Sequence, residues 1–346
     1  MPSPYIVDRS SVTQVMAWVL AALVPGVAVA YWLFGPGILI TLTLATATAL
    51  AAEAAMLKAR GYPAQPFLAD LSAVVTAWLL ALCLPTLAPW WLIVVGTLAA
   101  IVVAKHLYGG LGQNIFNPAM VGYAVLIVSF PVQMTQWAGP AALAPTLDWS
   151  QSVTAIFGGL APTTFDAVTM ATPLDALRTG LLQQKTVDEI VTAPIFGHYG
   201  GTGFEWLALA FVAGGLALWA LRIIGWRTPA AFLAGVWLAA GFLHFYDAGR
   251  FGAPWFHLFA PSVMLGAFFI ATDPVSGATT PLGKLVFGFG AGVLTIVIRT
   301  WGGYPDGVAF AILLMNLTAP LIDQYTQPRI YGRAAAGRED GKGRQA

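Results

Sequence analysis

Residues 13–56 read TQVMAWVLAALVPGVAVAYWLFGPGILITLTLATATALAAEAAM, and how this stretch is taken decides the fold. Its first half is an apolar run that passes through Ala28-Val29-Ala30, the small-x-small pattern of a signal-peptidase site. The residues before that run are barely basic, however, and a second apolar run follows at once through Gly35-Pro36-Gly37. The stretch is therefore read as two membrane spans, 13–33 and 36–56, joined by a tight turn. A hydrocarbon core of ~30 Å needs about 20 apolar residues per helix. The same criterion places eight more spans at 67–85, 89–107, 118–133, 205–223, 228–246, 254–272, 282–300 and 307–323.

Composition agrees. Of 346 residues 58% are hydrophobic and 9% charged, with a mean hydropathy of +0.76, where globular chains carry about a quarter charged residues. The expected fold is an all-α polytopic membrane protein with about ten transmembrane helices, forming a single integral membrane domain over 1–346. Because five is odd, two five-helix halves would be inverted relative to each other. A short echo supports such halves: KHLYGGLGQNIFNPAMVGYA (105–124) and RTWGGYPDGVAFA (299–311) each run from a basic residue and an aromatic through Gly-Gly to a turn that opens a helix.

The net charge of +1 matters less than where the sixteen Lys and Arg residues fall. With a cytoplasmic N-terminus, twelve lie inside and four outside: Arg178, Lys185, Arg250 and Arg299. Both termini are expected in the cytoplasm, with 324–346 as a flexible basic tail rather than a nucleic-acid patch. Thirteen tryptophans cluster near predicted helix ends, as in PWW (89–91) and APWF (253–256), the aromatic belt of a protein in a lipid bilayer.

Cysteine arithmetic removes some chemistry. Cys83 is the only cysteine, so this chain alone makes no disulfide and no Cys-ligated iron–sulfur cluster. His244 and His257 lie on neighbouring predicted helices. They are placed at opposite ends of them and read as core or interfacial histidines rather than haem ligands. Glu53 and Asp70, within or beside apolar runs, are candidate functional carboxylates of the membrane interior or, the preferred reading, interfacial partners of Lys58 or Arg60. No nucleotide-binding fingerprint is present.

The one long connection, 134–204, holds a polar, Thr-rich stretch, FDAVTMATPLDALRTG (165–180). Thr172 suits a helix N-cap, Pro173 the first helical position, and Asp175 stands three residues after the cap. A plain helix start explains the pattern. The free N–H groups and positive end of the same helix also favour a phosphate on Thr172. ATDPVSGATTPLGK (271–284) repeats the chemistry with Ser276-Gly277-Ala278-Thr279 and Thr280-Pro281. Local chemistry does not separate the two; topology puts the first outside and the second inside.

Three fragments, GGLGQNIFNPAMVGYA (109–124), DAVTMATPLDAL (166–177) and FFIATDPVSGATTPLGKLVFG (268–288), resemble the NqrB/RnfD family. Its members are the D subunit of the Rnf (Rsx) ion-translocating electron-transport complex and the B subunit of the sodium-pumping NADH:quinone reductase. The resemblance covers nearly the whole chain. It implies FMN joined through its phosphate to a threonine in a pattern similar to Asp-x-x-Ser/Thr-x-Ala-Thr, which fits Asp166, Thr169, Ala171 and Thr172. Met170 departs from the glycine common at that position in sister subunits. It further implies a periplasmic flavin transferase acting on the 134–204 loop, which selects Thr172 over Thr279.

A second, non-covalent flavin (riboflavin) or a quinone is expected near Gly112, Asn114, Asn117 and Asp273, although a plain connecting turn also explains the first three. Glu205, after the Gly-rich GGTGFEW (200–206), is a candidate neighbour of the covalent FMN. No metal site and no catalytic acid or base is expected. The implied function is an electron relay in the bacterial inner membrane, coupling ferredoxin/NAD(H) chemistry to sodium-ion or proton movement. Iron–sulfur, NADH-binding and second FMN subunits would be its partners. A cofactor-free transporter and a quinone-reductase subunit are the alternatives; the short N-terminus and the form TMATPLD favour Rnf.

Overall fold

The computed structural model describes residues 11–304 and 306–328. Arg9 and the basic tail beyond 328, on which much of the charge asymmetry rests, lie outside the described residues.

The chain is mostly helical. Ser11 caps α1 (Val12–Phe34) by accepting a hydrogen bond from the Gln14 amide, and Gly35-Pro36 turns it into α2 (Gly37–Ala59). There follow α3 (Ser72–Ala81), α4 (Trp90–His106) and α5 (Pro118–Ser129). The 134–204 connection contributes α6 (Pro173–Leu182) and shorter helical turns. After it come α7 (Phe204–Ala220), α8 (Arg227–Tyr246), α9 (Pro254–Phe259), α10 (Val263–Leu265, continued by a π-helical Gly266–Ile270), α11 (Pro281–Trp301) and α12 (Val308–Tyr325).

Five of these, α1, α2, α8, α11 and α12, are long and apolar enough to cross a membrane; α3, α4, α5 and α7 are apolar but shorter. Three expected spans are not continuous helices, and the cause is local: 118–133 breaks at Phe130, just before Pro131, and the other two break at left-handed residues. Span 67–85 is interrupted at Leu71, whose φ of 64° is left-handed, so α3 starts only at Ser72. Span 254–272 breaks where Ala260 is extended and Ser262 takes a φ of 75°. Pro261 lies between them and lacks the amide needed to carry a helix through. These non-Gly left-handed residues are the positions a hydrophobicity count does not see.

Packing is closest where glycine replaces a side chain. A Cβ on Gly235, Gly288 or Gly292 would meet backbone atoms of the facing helix, so α8 and α11 touch main chain to main chain. The small-residue interface is the one expected between helices in lipid.

The 134–204 connection is ordered. It carries a two-residue antiparallel ladder of β1 (Trp137–Ala138) with β2 (Thr169–Met170) and an isolated antiparallel bridge between Phe196 and Gly201. Leu174, Leu177, Val187 and Ile190 form a small second core with Phe256 and Ala260, seating the connection on the broken helix.

Candidate functional site

Polar groups gather at two ends of the bundle. At one end, Thr172 caps α6 as its sequence predicts: its Oγ1 accepts from the Asp175 amide at 3.2 Å and its hydroxyl donates to Asp175 Oδ2 at 2.9 Å. Pro173 fills the first position, where the missing amide has no cost. Thr172 is 8% exposed. Burial pushes the Asp175 carboxyl above its ordinary range, against the hydrogen bonds from Thr172 and the nearby charge of Arg178.

Thr172 and Asp175 border a cavity of about 90 Å³ that runs inward to Tyr123, Ser262 and Asp306. At its inner end the Ser262 hydroxyl donates to Asp306 Oδ2, while Arg299 Nη2 donates to Asp306 Oδ1 at 3.2 Å and to the Pro261 carbonyl at 3.1 Å. Arg299 Nη1 reaches the His257 carbonyl at 3.1 Å. The guanidinium thus satisfies carbonyls that the helix break leaves without amide partners.

The other members of the Thr pattern are placed differently. Asp166 and Ala171 are exposed, and the Thr169 hydroxyl donates to the Phe165 carbonyl at 2.9 Å. Met170 packs over Gly139. Glu205 does not line the cavity: its Oε1 accepts from the Tyr199 and Gly200 amides at 2.7 and 2.9 Å, holding the loop that packs on Pro173. His244 and His257 lie at the same end, not opposite ends, because α8 finishes and α9 starts on either side of one short turn; His244 Nδ1 bonds the Phe251 carbonyl.

At the opposite end, Asn114, Asn117 and Asp273 line one cavity of about 130 Å³ together with Ser72 and Lys105. Gly112 is not among its walls, though its φ of +85° fits the tight turn expected there. Asn117 caps α5, and its amide donates to Asn316 Oδ1 at 3.1 Å. Asn316 Nδ2 in turn donates to the Ser276 carbonyl at 3.0 Å. Asp273 accepts from the Ser276 hydroxyl at 2.7 Å and the Val275 amide at 3.1 Å; burial nevertheless raises its carboxyl pKa.

Beside this cavity Glu53 is buried, and Lys105 Nζ donates to both its oxygens at 2.8 and 2.7 Å and to the Ser72 hydroxyl at 2.8 Å. The expected partners, Lys58 and Arg60, are not used; Arg60 instead donates to the Gly109 carbonyl. Asp70 caps the start of α3 through Ser72. Thr279, the rival threonine, lies at this end with its amide and hydroxyl both donating to Asp323, at 2.9 and 2.8 Å.

Sequence reasoning missed Lys105, Asn316, Ser262 and Asp306 as members of these clusters. A polar residue inside an apolar helix was the available signal for Lys105 and Asn316, since such groups are costly without partners. The conformation of Ser262 had none. Among the described residues there is no group of three or more His, Cys, Asp or Glu residues able to hold a metal ion.

A family model described as the NQR2, RnfD, RnfE family matches residues 1–332. The chain is 53% identical over 339 residues to the D subunit of the ion-translocating oxidoreductase complex of Pseudomonas aeruginosa (strain UCBPP-PA14), covering 97% of this chain and 96% of that protein. Against the protein of the same name from Vibrio cholerae serotype O1 (strain M66-2) it is 49% identical over 340 residues, covering 95% and 98%. With a match across nearly its whole length and relatives about half identical end to end, the chain belongs to the NQR2, RnfD, RnfE family.

Proposed function

We propose that this chain is the D subunit of an ion-translocating oxidoreductase complex and relays electrons through FMN esterified to Thr172. It would lie in the bacterial inner membrane with ten crossing segments and both termini cytoplasmic. The observation that carries the reading is the Thr172 hydroxyl, capping a helix at the mouth of a cavity and hydrogen-bonded to Asp175.

The anchor fits the group. An N-cap oxygen on a ten-residue helix is where the positive helix end favours a phosphate. Asp175, its carboxyl already biased toward the neutral form by burial, sits beside such a phosphate with less repulsion than an ordinary carboxylate. The cavity, at about 90 Å³, is well under the roughly 300–1,000 Å³ of ligand pockets, so this chain supplies a shape for the anchor and not for the whole ring. Bound flavin takes up one or two electrons at a time, and a covalent tether keeps that carrier in the relay. Thr172 is an anchor with no acid or base role. Exposed Asp166, with Thr169, serves recognition by a flavin transferase.

At the other end, Asn114, Asn117 and Asp273 offer amide donors and a carboxyl to the edge of a second planar ligand, a non-covalent flavin or a quinone. Ferredoxin, NADH and iron–sulfur chemistry belongs to the partner subunits, and the coupled ion is sodium or a proton.

The test is flavin fluorescence on the denatured gel band after co-expression with a flavin transferase, for wild type, Thr172→Val and Thr279→Val. Fluorescence lost only in Thr172→Val is expected. A dark wild-type band beside a labelled control substrate of the same transferase would remove the covalent-flavin reading and favour a cofactor-free transporter.

A further inference from the structure

At the Thr172 end a wide cleft of about 590 Å³ opens between α6 and the turn that joins α8 to α9. The sequence puts only four of its sixteen Lys and Arg residues on this side, and all four line this one cleft: Arg178, Lys185, Arg250 and Arg299. They belong to three separate segments, so no single run of basic sequence brings them together. Only one carboxylate, Asp247, lines the cleft with them.

The four cations are not equivalent. Arg299 is neutralised by Asp306 and its donors are filled. Arg250 lies 3.7 Å from Asp247 with its side chain 78% exposed. Arg178 and Lys185 have no ion-pair partner among the described residues, and the buried Arg178 Nη1 has no hydrogen-bond acceptor. Deeper in the cleft His257 is 7% exposed, and its Nδ1 is buried without a partner. A buried charged donor with nothing to donate to is costly. Arg178 therefore has a charged donor to spare beside a cleft rich in cations, and an acceptor with several oxygens would satisfy it.

The walls tell what carries that acceptor. Leu174 and Leu177 are taken up by the second core, but Leu182 and Trp301 stand at the rim, 73% and 64% exposed. Phe245 and Tyr246, 93% and 80% exposed, end α8 at the same level. Aromatic side chains at helix ends mark the headgroup depth of a bilayer. A free inorganic anion has no use for this apolar rim; an acyl chain does.

We infer that this cleft binds the phosphodiester headgroup of an anionic phospholipid from the adjoining leaflet. The phosphate meets Arg178, Lys185 and Arg250, and the acyl chains leave the cleft along the exposed Leu182 and Trp301. The inference rests on the membrane fold and not on the flavin: a chain without FMN still has the cleft.

The experiment uses the detergent-purified, delipidated protein, with any subunits that co-purify, and native mass spectrometry. The probes are dioctanoyl phosphatidylglycerol, dioctanoyl phosphatidylcholine and inorganic phosphate. Expected is preferential retention of phosphatidylglycerol, weakened roughly tenfold in Arg178→Gln/Lys185→Gln, since each basic residue adds to attraction for anionic lipid. Lys185→Gln/Arg250→Gln, both on exposed side chains, gives the same direction if the first pair fails to fold. Equal retention of both lipids, or an unchanged preference in the variants, overturns the inference. Displacement of phosphatidylglycerol by millimolar inorganic phosphate also overturns it, by making the site one for a free anion. A cleft that takes no lipid but is shielded from chemical modification of Lys185 only when a partner subunit is present would assign it to that subunit instead.

Discussion

The two ends of the bundle start helices with the same pair of residues, Thr172-Pro173 and Thr280-Pro281, and the threonine oxygen caps the helix in both. What differs is what the tertiary fold sets against them. Beside the first, the hydroxyl and its Asp175 partner face a cavity running to Asp306. Beside the second, Asp323 reaches across from α12 and occupies the amides of Thr279 and Thr280 and the Thr279 hydroxyl. A local motif selects a helix start; the long-range neighbour decides whether anything is left over for another task. The ends differ again in how a buried cation is used. Lys105 closes on Glu53 and Ser72, whereas Arg299 spans Asp306 and the carbonyls of a broken helix.

The largest contrast is all-or-none. Thr172→Val is expected to remove covalent flavin entirely and Thr279→Val to leave it at the wild-type level, read as fluorescence of the gel band; label on Thr279 would erase the distinction between the ends. Next is the buried pair. Lys105→Met leaves Glu53 with only the His106 ring, 3.5 Å away, beside it and is expected to cost about 3–5 kcal/mol, seen as a lower thermal midpoint in detergent. Adding Glu53→Gln to it should recover much of that loss, and a double variant no better than the single would deny that the charge is what matters.

A smaller effect is expected for Asp323→Asn, about 1–2 kcal/mol from weakened charge-assisted hydrogen bonds, with flavin label unchanged because Thr172 lies at the other end. The smallest concerns pH. Burial raises the Asp175 carboxyl above its unfolded value, so its contribution to stability is fully present below about pH 4 and is lost as pH rises through the raised pKa. Asp175→Asn stays neutral throughout; its thermal midpoint should fall less than that of the wild type between about pH 4 and pH 7. Parallel curves would show that Asp175 carries no such penalty.

Much of this was legible in the sequence, for identifiable reasons. Apolar runs located the helices because burial in hydrocarbon leaves little choice of residue, and the Thr172 cap was readable because N-cap geometry needs only four consecutive residues. Glu53 was given the wrong partner because sequence proximity favoured Lys58 and Arg60, while Lys105 arrives from 52 residues away. The break at Leu71 left no trace, since leucine is an ordinary helix residue; the one at Ser262 was signalled only by Pro261, and nothing marked Ser262 as left-handed. Gly112, Asn114, Asn117 and Asp273 were grouped from two distant turns, and three of the four share a cavity. That the Asn117 side-chain amide donates directly to Asp273, with Asn316 bracing both turns, was beyond any local pattern.

The ladder between Trp137–Ala138 and Thr169–Met170 is two residues on each side. So short a ribbon is marginal by itself and opens without the rest of the fold following. Thr172, 8% exposed, lies two residues past its end, and Trp137 of the ladder lines the same cavity. The ladder's amides should exchange with deuterium far sooner than those of α8 and α11, so that access to Thr172 is set by a local unfastening on its own clock while the helices beneath stay shut.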